Sequence, residues 1–165
     1  MAERQAHPIA PVFDEMSRIL ILGSFPSVKS REAGFFYGHP QNRFWRVLAA
    51  VLDCAVPVTI DEKRNMLLAH HVAVWDVIAS CEITGSSDSS IRNVVPTNLG
   101  RILAAAPISA IFCNGGTALR LYQKYQQNST GIPAAGLPST SPANAAWTLN
   151  RLVSVWNVIR TELEK

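Results

Sequence analysis

The sequence has few charged residues and no long apolar segment. Charged side chains make up 16% of its 165 residues, and apolar ones make up 48%. This composition excludes an intrinsically disordered chain, and the length fits one domain over residues 1–165. A membrane span needs about 18 consecutive apolar residues. The longest clean apolar run, at 19–22, has only the length of a buried strand, so we expect no membrane association.

Cysteine is also scarce. The three cysteines Cys54, Cys81 and Cys113 lie far apart, and none belongs to a C-x-x-C pair. This excludes a disulfide framework, a zinc site and an iron–sulfur cluster, so we expect neither a metal nor another cofactor. Residues 1–13 carry two prolines and interleaved charges instead of the apolar core of a secretory signal. A cytoplasmic location is therefore expected.

The positive charge of the chain is small but concentrated. The net charge of +3 permits a polyanionic partner without requiring one. Four basic residues, however, lie in or beside the segment that follows the first predicted strand: Lys29, Arg31, Arg43 and Arg46. The local positive charge there exceeds what the net charge suggests.

Strand and helix patterns alternate along the chain, which predicts an α/β domain of three layers with a central, mostly parallel four-stranded sheet. The strands are predicted at 18–22, 72–78, 108–113 and 135–137. Helices are predicted over 42–52, from 61 onward, over 98–106 and 117–127, and from Pro142 to the C-terminus. The polar stretch 84–90 is predicted to be a loop without helix or strand.

Polar and aromatic residues gather after three of these strands, where ligands bind in such folds. The first covers 23–27 and continues through 35–45, and the others are 113–116 and 137–144; they contain amides, hydroxyls, glycines and aromatic rings but no carboxylate. This argues against carboxylate acid–base chemistry and divalent metal binding. Aromatic rings stack on bases, and an Asn amide matches a base edge. We therefore expect a pocket for a flat heterocycle attached to phosphate.

Four motifs in these segments resemble, in order, those of the uracil-DNA glycosylase superfamily. They are G-S-F-P-S at 23–27, H-P-Q-N-R-F-W at 39–45, F-C-N-G at 112–115 and L-P-S-T-S-P at 137–142. The second is the most specific, and the resemblance extends over residues 18–160. It is closest to the hypoxanthine-DNA (deoxyinosine) glycosylase branch, with the mismatch-specific uracil/thymine glycosylases next.

The resemblance implies how the base is bound and released. Most branches have a catalytic Asp or Asn where this chain has Phe25, whereas in the hypoxanthine branch the catalytic amide corresponds to Asn42. A neutral amide does not titrate, so Asn42 is expected to orient and polarise the water. Tyr37 matches the residue that stacks on the flipped base, and Asn114 matches a base-contacting residue. The base pocket is expected to include these two residues together with Gly23, Ser24 and Phe25.

The resemblance also implies the partner and the reaction. A monomer would flip a deaminated base, hypoxanthine or uracil, out of double-stranded DNA and hydrolyse its N-glycosidic bond without a cofactor, leaving an abasic site. Mispairing of the base lowers the cost of flipping it. The expected DNA-binding residues are Ser139, Thr140, Ser141, Asn144, Lys29, Arg31 and Arg43.

Structural alternatives stay open for several of these residues. Asn42 could simply cap the helix that follows, residues 114–116 could form only a tight turn, and His39 could be structural. Two other functions also fit parts of the pattern. One is a cysteine hydrolase with Cys113 as nucleophile and His39 or His70 as base. The other is a non-catalytic domain that binds nucleotides or nucleic acid.

Overall fold

A computed structural model describes residues 2–165 as one α/β unit with two sheets. The strands are β1 (Glu3–Ala6), β2 (Ile19–Gly23), β3 (Val72–Asp76), β4 (Ile78–Ile83), β5 (Arg92–Pro96), β6 (Ala110–Asn114) and β7 (Ala134–Leu137). The helices are α1 (Val28–Ala33), α2 (Phe44–Leu52), α3 (Ile60–Ala69), α4 (Gly100–Leu103), α5 (Gly116–Tyr125), α6 (Gln127–Thr130), α7 (Leu149–Trp156) and α8 (Val158–Leu163).

The central sheet has the strand order β3-β2-β6-β7, and every pair in it is parallel. All residues of β2 and β3 are buried, because each strand is covered on both faces. Helix α3 packs on β3, α5 packs on β6 and β7, and α8 packs on β2. The predicted four-stranded parallel sheet flanked by helices is confirmed.

The register of this sheet brings the carboxyl ends of its strands to one edge. Gly23 at the end of β2 lies opposite Asp76 at the end of β3. Asn114 at the end of β6 lies opposite Leu137 at the end of β7. Side chains that are far apart in sequence therefore meet where the strands end, which is where ligands bind in parallel α/β sheets.

The second sheet, β1-β4-β5, is antiparallel and was not expected from the sequence. The predicted strand 72–78 is wrong at its end, because the chain leaves the central sheet after Asp76 and begins β4 at Ile78. Between the two strands, the Val77 amide donates to Gly23 O at 2.8 Å. Only part of β4 is buried, and β1 is mostly exposed. Such half-exposed, polar strands lack a clear apolar signal.

Three local predictions also need correction. The last helical region begins at Leu149, where Thr148 accepts a hydrogen bond from the Arg151 amide, and it is divided into two helices at Asn157. Residues 142–147 thus form turns instead of the first helical turns. The predicted loop 84–90 contains the 3-10 helix Asp88–Ser90. A further short helix, α1, lies within the first polar segment.

Helix α3 begins where its acidic residues predict. Thr59 and Glu62 form a capping box, in which each side chain accepts a hydrogen bond from the other residue's backbone amide. The Thr59 and Val58 amides, which both donate to the Glu62 carboxylate, lower its pKa. Across residues 2–165, no helix is both long enough and apolar enough to cross a membrane.

Candidate active site

The loops after the parallel strands enclose a cavity of about 590 Å³. Ligand pockets typically measure about 300–1,000 Å³, so this one has room for a nucleobase and part of its sugar. The residues predicted to bind the base or to be catalytic all line this cavity: Gly23, Ser24, Phe25, Tyr37, Asn42 and Asn114. The structure thus brings together residues that the four motifs place far apart in sequence.

Asn42 lies at the cavity wall just before α2, and its amide is held in one orientation. Its Oδ1 accepts hydrogen bonds from the Phe44 amide and from the Thr140 hydroxyl, both at 2.9 Å. A backbone amide can only donate, which identifies this side-chain atom as oxygen. The oxygen is therefore fully used, while no residue of 2–165 bonds to Nδ2. Asn42 supports the helix start and still offers N–H donors to a ligand.

Asn114 reaches the same cavity through Thr140. The Thr140 amide donates to Asn114 Oδ1 at 3.1 Å, and Asn114 Nδ2 donates to Thr140 Oγ1 at 3.0 Å. Since Thr140 Oγ1 in turn donates to Asn42, the three side chains form one directed chain of hydrogen bonds. Thr140 is fully buried, so its side chain holds the two amides in position and has no exposed surface of its own.

Tyr37 forms the deep wall of the cavity, and its hydroxyl has an unusual environment. The ring stacks on Phe44 with centroids 4.0 Å apart, while the hydroxyl is buried without a hydrogen-bond partner among the described residues. Burial, assisted by the negative charge of Asp76, raises the pKa of Tyr37. A Cβ at Gly23 would lie 3.0 Å from this hydroxyl and 2.4 Å from Asp76 Oδ1, so only glycine fits there.

A buried pair that the sequence did not reveal lies beside Tyr37. His7 Nε2 contacts Asp76 Oδ2 at 2.7 Å, and the two side chains are only 4% and 5% exposed. The Ile9 amide donates to His7 Nδ1 at 3.1 Å, which places the ring proton on Nε2, where it is donated to the carboxylate. The three predicted segments hold no carboxylate, but a fourth strand end that was not among them does: Asp76 ends β3 and lines the cavity.

A second carboxylate, Asp88, comes from the serine-rich loop 84–90. The Ser24 hydroxyl donates to Asp88 Oδ1 at 3.3 Å. Two further bonds fasten the loop to the segment after β2: the Val28 amide donates to Ser86 Oγ, and Arg31 Nη2 donates to Gly85 O. Asp88 thereby lines the cavity beside Ser24.

The predicted DNA-binding cations divide into two groups. Arg43 donates to the carbonyl oxygens of Ser141, Asn144 and Trp147, so its guanidinium organises this segment from within. Arg31 is likewise occupied by the serine-rich loop. Lys29 is exposed, and its ammonium is 3.9 Å from Glu32. Of the three, Lys29 is the one whose charge faces solvent.

The segment 138–147 forms a shallow groove that adjoins the cavity. The Ser139 hydroxyl accepts from the Ser141 amide at 3.1 Å, and Asn144 Nδ2 donates to Ser139 O at 3.0 Å. Ser139 and Ser141 line both the cavity and the groove, while Asn144 lines the groove. Contact of these three residues with a DNA strand stays a prediction, and turns follow them where the sequence predicted the start of a helix. Gly115 has φ of 97°, a left-handed conformation that favours glycine, and it lies close to the Ser139 side chain.

Comparison with known proteins identifies the family. A sequence model of the Uracil DNA glycosylase superfamily matches residues 10–160. The chain belongs to this superfamily. A "Hypoxanthine DNA glycosylase" from Methanosarcina acetivorans is 31% identical over 149 residues, which cover 90% of this chain and 93% of that protein. Another of the same name, from Methanosarcina barkeri, is 33% identical over 92 residues, 55% of this chain and 57% of that protein.

The fold of this superfamily member agrees with a solved structure. A solution NMR structure of a Methanosarcina acetivorans protein, described as a candidate uracil DNA glycosylase, superposes with a TM-score of 0.81. It is 30% identical in sequence, and the match covers 95% of this chain and 97% of that one. The resemblance that the four motifs indicated is therefore confirmed at the levels of sequence and fold.

The thiol of Cys113 is unsuited to nucleophilic chemistry. It is fully buried in β6, and burial raises its pKa to about 12. A thiol with such a pKa is protonated near neutral pH, whereas a nucleophilic cysteine needs its thiolate. The structure therefore does not support a cysteine hydrolase that uses Cys113 as its nucleophile. Among the described residues, no group of three or more His, Cys, Asp or Glu side chains could hold a metal ion.

Proposed function

We propose that this chain is a monofunctional glycosylase that removes hypoxanthine from deoxyinosine in double-stranded DNA. The reaction would hydrolyse the bond between C1′ and the base and leave an abasic site. The observation that carries the proposal is the orientation of Asn42, whose oxygen is occupied and whose N–H groups face a cavity of nucleobase size. The activity named for the Methanosarcina relatives supports the same reaction.

The orientation of Asn42 changes its proposed role. Both lone pairs of Oδ1 are occupied, so the oxygen cannot also orient an attacking water. The N–H groups of Nδ2 can donate to the base, which becomes negatively charged as the glycosidic bond breaks. Fixed donors aimed at developing charge lower a barrier because they need no reorganisation. Asn42 therefore acts on the leaving group.

The deep end of the cavity provides groups that can read the base edge. Hypoxanthine presents an N–H donor next to a carbonyl acceptor. Asp76 Oδ1 can accept from such an N–H, and the unpartnered Tyr37 hydroxyl can donate to the carbonyl. Binding would give the buried hydroxyl the partner that it lacks. Uracil carries the same pair of groups, so it is the second substrate to test.

The substrate proposal is tested by incubating the protein with duplexes that each contain one modified base, followed by alkaline strand cleavage. Duplexes with hypoxanthine, uracil, xanthine and mispaired thymine separate the base preferences, and an unmodified duplex serves as the control. We expect the fastest release from the hypoxanthine duplex. Binding to all duplexes without any abasic sites would instead indicate the non-catalytic binding domain.

Two further expectations stay proposals. The cavity is formed by one chain, so we propose that the protein acts as a monomer, and sedimentation of the complex with a short inosine duplex would test this.

Flipping of a mispaired base costs less than flipping of a paired one. We accordingly expect inosine opposite thymine to be released faster than inosine opposite cytosine. The cytoplasmic location stays a prediction.

A further inference from the structure

In the hydrolysis of an N-glycosidic bond the attacking water loses a proton, and the side chains already discussed cannot accept it. Asn42 is a neutral amide. His39 lines the cavity, but its Nδ1 already accepts from the Gln41 amide at 3.1 Å, so the neutral ring presents N–H on its other nitrogen. Asp76 is almost fully buried and is bonded to His7. Another group must take up the proton.

Asp88 lies where the reacting bond is expected. Four residues line both the cavity and the adjoining groove: Asp88, Ser139, Ser141 and Ala143. A base that enters the cavity from a strand in the groove places its sugar at this junction. Asp88 is the one ionisable residue of the four. Its Oδ1 accepts from the Ser24 hydroxyl at 3.3 Å, and the side chain of Thr117 on α5 also interacts with the carboxylate.

We propose that the Asp88 carboxylate accepts the proton of the water that attacks C1′. The C1′–N9 bond of deoxyinosine breaks, with both electrons going to the base, and the water oxygen forms the new bond to C1′. One water proton passes to Asp88 and then to solvent, while the released base takes a proton from solvent. The inference rests on the proposed glycosylase function and adds a second catalytic residue to Asn42.

The setting of Asp88 favours this role. As an anion it also stabilises the positive charge that develops on the sugar. The loop that carries it is fastened by Ser24, Val28 and Arg31, so the carboxylate is held in place before the substrate binds. Desolvation raises the pKa of the Asp88 carboxyl above its ordinary value, despite the hydrogen bond from Ser24.

The charges around Asp88 determine how the reaction depends on pH. The titratable or charged groups that face it or line the same cavity are Arg120 on α5, Asp76 on β3, and Tyr37 and His39 on the segment before α2. Asp88 must be ionised to accept a proton. The rate of base release should therefore fall as the pH decreases through the raised pKa of Asp88.

The test compares Asp88→Asn with the wild-type protein in single-turnover base release from an inosine duplex, over a range of pH. Asp61→Asn, which changes an exposed carboxylate on α3, is the matched control. We expect Asp88→Asn to lose about 10²–10⁴-fold in rate, typical of a missing general base, together with the acid limb of the pH profile. Binding to a duplex with a tetrahydrofuran abasic analogue should not weaken.

A second variant separates a chemical role from a structural one. In Asp88→Ala, added sodium formate should restore part of the activity, whereas it should not stimulate Asp61→Ala. The proposal is overturned if Asp88→Asn keeps the wild-type rate, or if it is slower with the acid limb unchanged. If the wild-type protein itself releases no base, the proposed function fails instead, so the two failures are distinguishable.

Discussion

The Thr140 hydroxyl donates a hydrogen bond to Asn42 Oδ1 at 2.9 Å, joining residues 98 positions apart. This bond links the loop after β7 to the start of α2. Because Thr140 also exchanges two bonds with Asn114, one buried side chain orients both cavity amides. The geometry of the site therefore depends on a buried residue that orients the side chains of two others.

Replacing Thr140 with valine should slow base release without removing Asn42. The change preserves the shape of the side chain but leaves Asn114 Nδ2 without its hydroxyl partner and removes one of the two hydrogen bonds to Asn42 Oδ1. An unsatisfied buried polar group costs about 1–3 kcal/mol. At about 1.4 kcal/mol per factor of ten, we expect kcat to fall about fivefold to 150-fold. Thr140→Ser, which keeps the hydroxyl, should restore most of the rate. Equal rates in both variants would contradict the positioning role.

Replacing Lys29 with alanine should weaken binding to every duplex. Lys29 is exposed, and each phosphate contact that is lost reduces the slope of log K against log salt by about 1. Arg31→Ala is the informative comparison, since Arg31 donates to Gly85 O and its guanidinium lies 5.4 Å from the Phe25 ring centre. We expect that variant to lower kcat with little change in salt slope. Equal salt effects would show that both cations face DNA.

Replacing His7 with alanine should destabilise the fold. The change leaves the buried Asp76 carboxylate without the bond at 2.7 Å, and a hydrogen bond to a charged group contributes about 1.5–3 kcal/mol. Urea denaturation should show a loss of that size in the free energy of unfolding. Gln5→Ala, on β1, should have a much smaller effect. A His7→Ala protein as stable as the wild type would mean that the pair adds nothing to the fold.

Alkylation of thiols should leave base release intact. Burial raises the pKa of Cys113 to about 12, so its thiolate is nearly absent at pH 7–8. After treatment with iodoacetamide, mass spectrometry should find Cys113 unmodified and the rate unchanged. Rapid modification of Cys113 with loss of activity would restore the cysteine hydrolase as an explanation.

Much of the fold was predictable because buried parallel strands have an unmistakable pattern. The continuous apolar residues of β2 and the end of β6 identified the central sheet, and the strand-end rule then located Asn114 and Ser139. The specific block around Asn42 supplied the residue that we propose to act on the base. These signals are local, so a single sequence reveals them.

The remaining parts depend on contacts that no local pattern records. Asp76 was hidden because the strand was predicted to continue to residue 78, which put the carboxylate within the strand instead of at its end. His7 lies in a segment with no apolar periodicity and reaches Asp76 only through the second sheet. The carbonyl partners of Arg31 and Arg43 could not be predicted either, since a sequence does not show which backbone carbonyls lie nearby.

The most direct test of the account is single-turnover release of hypoxanthine by Asn42 variants. Asn42→Ala removes the amide, and Asn42→Ser keeps a hydroxyl that can still accept from the Phe44 amide. If the Nδ2 donors stabilise the departing base, both variants should lose about 10²–10³-fold in rate while binding the inosine duplex as tightly as the wild type. Release at the wild-type rate by Asn42→Ser would contradict the account and leave Asn42 as a helix cap.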